Sequence, residues 1–185
     1  MQFIKFPKIT PSYSTRFQTE IAPFTAQEGD WVVLEKVHGS NASFACDGKE
    51  VKLGKRRSFV KDFKQFYRSA DFLETHKDRV LGLWADLKDA EHVVIFGELF
   101  GGHYGDLKSS VVRVQREVDY CPQHVFYAFD IWVDGEFLNH DTCCALWRKH
   151  GFFTRNLCFK GLTRTPSNFP QPATRNQPRF PSGSA

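Results

Sequence analysis

An α+β domain of antiparallel sheets with inserted helices is the architecture this sequence predicts, and three observations predict it. Three apolar runs, Trp31 to Val37, His92 to Phe100 and Val125 to Val133, have the length and the Val, Ile and Phe content of buried strands. The pair Asp47-Gly48, set between Ser43–Cys46 and Glu50–Leu53, is a strong hairpin signal. Helical periodicity is confined to inserted stretches and does not alternate regularly with strands, as a βαβ succession would require. There is no internal repeat.

The first strand, Trp31 to Val37, carries a lysine, Lys36, at its end and runs into the polar turn His38-Gly39-Ser40-Asn41. The Asp47-Gly48 hairpin follows, and directly after it come three consecutive cations, Lys55, Arg56 and Arg57. Spacings of three and four among Phe63, Phe66, Tyr67 and Ala70, and then among Phe72, Leu73, Val80, Leu83, Trp84 and Leu87, predict helix over roughly 61–88. The strand His92–Phe100 delivers a second charged residue, Glu98, beside a glycine. Residues 101–123 read as a basic loop region. The strand Val125–Val133 closes on the turn Asp134-Gly135. Asp141 is expected to cap a helix that runs to His150 and stops at Gly151.

With 185 residues, 41% of them hydrophobic and 19 Phe, the chain can bury a real core. No apolar run approaches membrane-spanning length, and Met1 to Lys8 is too short and too charged for a signal peptide. The five cysteines include no C-x-x-C pair, which fits buried free thiols in an intracellular, reducing compartment, cytoplasmic by default. The net charge of +4 is concentrated at the end of the chain, where Arg164, Arg175 and Arg179 meet no acid. Residues 1–163 carry 22 basic against 21 acidic groups, so whole-chain charge does not argue for a nucleic-acid partner. From Thr163 onward there is no Leu, Ile or Val, and five of the nine prolines follow Thr165. We therefore divide the chain into a domain over 1–163 and a disordered Pro/Arg/Ser-rich tail over 164–185.

Four short segments carry chemistry-bearing residues, and each has two readings. In V-L-E-K-V-H-G-S-N, Lys36 is either a solvated strand end or a nucleophile, since crowding by cations or loss of water eases the loss of its proton. In F-G-E-L, Glu98 leaves a buried strand, so it needs a structural ion pair or else a cation, a metal or a sugar hydroxyl. In F-Y-A-F-D-I, alternation sets Phe129 with Tyr127 on one face and Asp130 with Phe126 on the other, for core packing or for stacking a base. In L-G-K-R-R, the cations either sit in a solvated turn or grip phosphates.

Taken together and in this order, these segments resemble the RNA ligase family of covalent nucleotidyltransferases, in particular the RNA ligase 2 and RNA-editing ligase type. W-V-V-L-E-K-V-H-G-S-N resembles that family's nucleophile motif. The likeness continues through L-G-K-R, F-G-E-L, V-Q-R-E-V-D-Y and F-Y-A-F-D-I, over about Asp30 to Phe153. Histidine at position 38 and the F-Y-A-F-D-I segment favour this branch over DNA ligases and capping enzymes. The resemblance implies an ATP-grasp-like ligase adenylation fold, here partial. It implies ATP and Mg²⁺ as cofactors, and RNA ends or a nicked duplex as partner, with no membrane; it leaves the oligomeric state open.

By the same resemblance, Lys36 is the catalytic nucleophile that takes AMP from ATP and passes it to an RNA 5′-phosphate, which a 3′-hydroxyl then attacks. Glu35, His38, Asn41, Arg56, Glu98 and Phe129 are implied as nucleotide-binding residues, with Phe129 stacked on adenine. Lys55 and Gln115 are implied near RNA, Asp130 as support behind the site, and Glu98 also as a metal ligand. Two further family motifs, E-G-x-V-x-K and a K-x-K strand, are not found, and the resemblance stops after Gly161. A frameshift, alternative splice or gene-model truncation is the expected origin of the tail. The alternative function is a non-catalytic nucleotide- or RNA-binding remnant.

Overall fold

The longest strands form where the sequence is most apolar. In chain order the elements are α1 (Thr15–Thr25), β1 (Trp31–Val33), β2 (Ser40–Cys46), β3 (Val51–Lys55), β4 (Ser58–Phe59), α2 (Ala70–Asp86), β5 (Val93–His103), β6 (Cys121–Val133), β7 (Glu136–Phe137), α3 (His140–Lys149) and β8 (Phe159–Gly161). The computed structural model describes residues 1–11, 13–25, 31–104, 111–154 and 159–161. The predicted tail over 164–185 lies outside the described residues. Those described fall into two units, Met1–Phe6 with residues 36–154, and residues 7–35 with 159–161.

The first unit is an antiparallel six-stranded sheet in the order β4-β3-β2-β5-β6-β7, with α2 inserted between β4 and β5 and α3 following β7. This is the predicted α+β arrangement. The Asp47-Gly48 hairpin forms because the Asp47 carboxylate accepts from the backbone N–H groups of Lys49 and Glu50, while Gly48 takes φ 80°. Cys46 pairs with Val51 across it. The second unit contains α1, which the sequence analysis did not anticipate, and the antiparallel pair of β1 and β8.

Alternation along the strands creates two apolar faces. One presents Phe44, Leu53, Ile95, Phe126 and Ile131 to Phe72, Val80 and Leu83 of α2 and to Cys143 and Trp147 of α3. The other carries Ala45, Val94 and Phe96, against which Ile4 and Phe6 of the N-terminal segment pack together with Phe59, Phe129 and Trp132. Cys46, Cys121 and Cys143 are buried, and neither they nor Cys144 form a disulfide among the described residues. No helix among the described residues is long and apolar enough to cross a membrane.

Five local expectations are corrected. The first strand ends at Val33, and Leu34 to His38 run without regular pairing. The helix predicted from 61 begins only at Ala70, because Tyr67 and Arg68 adopt left-handed φ values of 54° and 50° that interrupt any helix. Gly101 to His103, expected as loop, extend β5. The cap of α3 is Asn139, whose side chain accepts from the Thr142 N–H; Asp141 sits in the first turn. Gly151, at φ 67°, follows α3 as expected. Finally, Phe96 stands opposite Asp130 and Gly97 opposite Ala128, so Phe129 is the extra residue of a β-bulge. Strict alternation breaks there: Phe129 and Trp132, three positions apart, pack on the same apolar cluster.

The core also encloses a histidine. The His76 ring stacks on Phe44 and packs against Phe72, Phe126 and Phe152, and its Nδ1 donates to the Phe72 carbonyl. Burial holds its pKa below the usual histidine value, against the opposing effect of that hydrogen bond, and Arg79 lowers it further. The unfolded chain therefore takes up a proton on this residue at a higher pH than the folded one, and the His76 contribution to stability falls as pH drops below about 6.5. His92 and His124, also lowered by burial, act in the same direction. Burial of Asp130, whose carboxyl is pushed up to about 6, acts in the opposite direction over the same range. The test is therefore a difference: in thermal melts at pH 7.5 and 5.5 the native midpoint should fall on acidification relative to that of His76→Gln. An equal slope in the variant would remove His76 from the explanation.

Candidate active site

Lys36 lies between β1 and β2, in a segment that no strand ladder holds. Both Glu35 and Lys36 are exposed, while the next side chain, Val37, is buried and anchors the segment. From His38 onward three distant residues grip the backbone. The His38 N–H donates to the Tyr120 hydroxyl at 2.9 Å, and the Gly39 N–H donates to Glu98 Oε1 at 3.1 Å. The Gly39 carbonyl accepts from the Gln115 side-chain amide. The next residues enter β2 beside β5, where Ser40 pairs with Leu99 and Asn41 with Glu98.

Glu98 is the electrostatic centre of this arrangement. Burial raises its pKa above the usual carboxylate value; the Gly39 hydrogen bond opposes that, and so do the charges of Lys36, His38 and Arg56. A half-buried carboxylate thus faces three cationic or potentially cationic side chains without a close ion pair to any of them among the described residues. Arg56 lies in the two-residue turn between β3 and β4, where Lys55 pairs with Ser58, and is exposed. Lys55 is exposed and stands opposite Ala42 of β2. The His38 ring lies 3.6 Å from the Glu117 carboxylate.

The structure therefore brings together Lys36, His38, Asn41, Arg56, Glu98 and Gln115. Phe129 and Asp130 follow Tyr127, the register partner of Glu98, by two and three positions, which is about 7–10 Å along a strand. The Phe129 ring packs edge-on against Phe6 at 5.0 Å, a contact with no signal in the sequence. The Asp130 carboxyl is pushed up to about 6 by burial. Sequence reasoning missed Tyr120 and Glu117, although both lie in the V-Q-R-E-V-D-Y stretch from which Gln115 was singled out.

The set of cations around one carboxylate suits a polyanionic ligand such as a nucleoside triphosphate. It is less suited to a metal held by protein alone: no group of three or more His, Cys, Asp or Glu residues assembles among the described residues. Mg²⁺ is commonly bound through one or two carboxylates together with substrate phosphates, and Glu98 and Glu117 are carboxylates of this cluster.

A sequence profile described as RNA ligase matches residues 29–168, well over half of the chain. The chain belongs to the RNA ligase family. The match includes every residue gathered above and extends past Gly161, beyond the point where the resemblance was expected to end. Protein Early 65 kDa of Autographa californica nuclear polyhedrosis virus is 29% identical over 133 residues, covering 70% of this chain and 23% of that protein.

Solved structures share the ligase fold at low identity. A mutant Naegleria gruberi RNA ligase with AMP and Mn aligns at a TM-score of 0.55 and 13% identity, over 80% of this chain and 42% of that one. The same ligase with PPi aligns at 0.52 and 15%, over 85% and 45%. A protein from Aquifex aeolicus named as an ATP-dependent DNA ligase gives 0.54 and 17%, over 85% and 38%. This RNA ligase family member thus spans less than half the length of those solved ligases.

Proposed function

We propose that this chain carries the nucleotide-accepting site of an ATP-dependent RNA ligase, with residues 1–163 as its adenylyltransferase portion and Lys36 as the covalent carrier of AMP. The observation that carries this reading is the half-buried Glu98 carboxylate, which accepts from the Gly39 N–H three residues beyond Lys36 and lies within electrostatic reach of Lys36, His38 and Arg56, inside the region matched to the family. Solved relatives of the same fold contain AMP with Mn, and PPi, the two products that adenylyl transfer from ATP would leave.

In the first step the uncharged Lys36 amine attacks the α-phosphorus of ATP. A P–N bond forms, the bond from the α-phosphorus to the bridging oxygen breaks, pyrophosphate leaves and the lysine nitrogen loses a proton. AMP then passes to an RNA 5′-phosphate, and a 3′-hydroxyl displaces AMP to join the strand. Positioning and neutralisation of phosphate charge supply most of the catalysis in such a reaction. We assign phosphate contacts to His38 and Arg56, and the ribose hydroxyls to Glu98, with Asn41 beside it on the adjacent strand. Phe129 is assigned to the base, with Asp130 behind it, and Lys55 and Gln115 to the RNA. Glu35 flanks the nucleophile. A divalent ion, Mg²⁺ in the cell, would offset phosphate charge, with Glu98 as its protein ligand.

The test is incubation with α-labelled ATP and Mg²⁺. The native chain should acquire covalent, acid-labile label, and Lys36→Ala should acquire none. Label on both would place the nucleophile elsewhere. Folded native protein that takes no label would make this chain a nucleotide- or RNA-binding module instead.

A further inference from the structure

We propose that Tyr120 is a positioning residue for adenylyl transfer, its hydroxyl holding the backbone two residues beyond Lys36 so that the amine is presented at a fixed place. The inference rests on Lys36 being the nucleophile, and it adds a residue to which no role has been assigned.

A nucleophile in an unpaired segment poses a physical problem, because an error of about 1 Å in placing a reacting group can cost about 100-fold in rate. Leu34 to His38 belong to neither β1 nor β2, so ladder hydrogen bonds do not fix them. The Val37 side chain gives one anchor, by burial. The Tyr120 hydroxyl, 82 positions away in sequence, gives the next by accepting from the His38 N–H. Gly39 is then tied on both sides, its N–H to Glu98 and its carbonyl to Gln115.

Tyr120 can do this because its own place is set. Its ring packs edge-on against Phe100 at 5.0 Å, and Phe100 is 2% exposed. The strap that carries it, residues 111–120, has neither helix nor strand but is pinned along its length. The Val114 N–H donates to the Gly101 carbonyl of β5, and the Val112 carbonyl accepts from the His124 ring of β6. The Arg113 guanidinium donates to the carbonyls of Gln115 and Arg116 and pairs with the Asp119 carboxylate. Those bonds curl the strap, so that Gln115, Glu117 and Tyr120 all reach back to His38 and Gly39. The bond from Tyr120 is to backbone, so it acts on where the chain lies and not on the charge of any group.

Tyr120→Phe keeps the ring against Phe100 and removes only the acceptor, which makes it the deciding variant. Two readouts are needed on the full chain. In single-turnover labelling with α-labelled ATP, the maximal rate should fall about tenfold or more while the ATP concentration at half-maximal rate stays put, the signature of an interaction used in the reaction and not in binding. In amide hydrogen exchange, protection at His38 should be present in the native chain and lost in the variant, with β2 and β5 unchanged. Native labelling with an unaltered Tyr120→Phe rate overturns the proposal, and so does unaltered exchange at His38. If the native chain forms no adduct at all, the reading of Lys36 fails and the positioning role fails with it. The exchange result would then show that the Tyr120 tie exists as a structural strap only.

Discussion

Gly39→Ala is expected to reduce covalent AMP formation by about 100-fold or more while the sheet remains folded, since it displaces the segment that presents the nucleophile. Gly39 does not owe its place to a left-handed backbone; the constraint is space. A methyl group there would collide with the Leu99 carbonyl oxygen and with Cγ of Glu98. The carbonyl belongs to the β2–β5 ladder, which begins one residue later with Ser40 opposite Leu99, so it cannot yield without opening that end of the sheet. The cheaper response is for the Lys36 segment to lift away. That breaks the bond from the Gly39 N–H to Glu98 and the bond from Gln115 to the Gly39 carbonyl. A hydrogen bond to a charged group contributes about 1.5–3 kcal/mol and a neutral one about 1, so a loss of about 2–3 kcal/mol is expected after partial re-solvation. For a chain of this size that corresponds to a melting point lower by about 5–10 °C. Glu98→Gln is the informative companion. It keeps an acceptor for Gly39 but removes the charge that faces Lys36, His38 and Arg56, so comparing labelling rates and melts of the two variants separates geometry from electrostatics. Normal labelling by Gly39→Ala would mean that the position of this loop does not control the chemistry.

What was legible in the sequence was local, and what was not depended on partners far along the chain. The hairpin at Asp47-Gly48 was readable because the carboxylate and the amides it accepts from lie within three residues of one another. The strands around Glu98 and Phe126 were readable because a buried strand must be apolar whatever it pairs with. The start of α2 was misread for a definite reason. Phe63, Phe66 and Tyr67 imitate a helical stripe, but they reach the core from turns, and the left-handed pair Tyr67 and Arg68 has no mark in the sequence. The cap of α3 was misplaced by two residues because Asn139 and Asp141 are both good capping residues. Lys36, Glu98 and Arg56 could be nominated from the sequence, but the reason they belong together is the β2–β5 register and the β3–β4 turn, which only the fold supplies. The bulge at Phe129 and the reach of Tyr120 to His38 left no signal at all.

Trp147→Ala should produce the largest loss of stability of any single substitution considered for this chain. Trp147 is fully buried on α3, in the core cluster with Cys143 and Phe152, and its backbone carbonyl accepts from the Phe152 N–H as the chain leaves the helix. Truncating a buried Trp costs about 3–5 kcal/mol, and at roughly 2–4 °C per kcal/mol the midpoint should fall by about 10 °C or more. Trp147→Phe should cost far less. The indole N–H has no acceptor among the described residues, so removing it relieves a desolvation cost of about 1–3 kcal/mol that partly offsets the lost ring. A pair of melts reads this directly; equal losses in both variants would show that the indole N–H is satisfied in solution. The consequence for function follows from the topology. The helix that carries Trp147 packs on β6, and β6 carries Tyr127, the register partner of Glu98. Trp147→Ala should therefore keep its labelling rate well below its own midpoint and lose it on warming through temperatures that the native chain withstands. A variant inactive even when folded would instead mean that α3 sets the geometry around Glu98 and does not merely stabilise the sheet behind it.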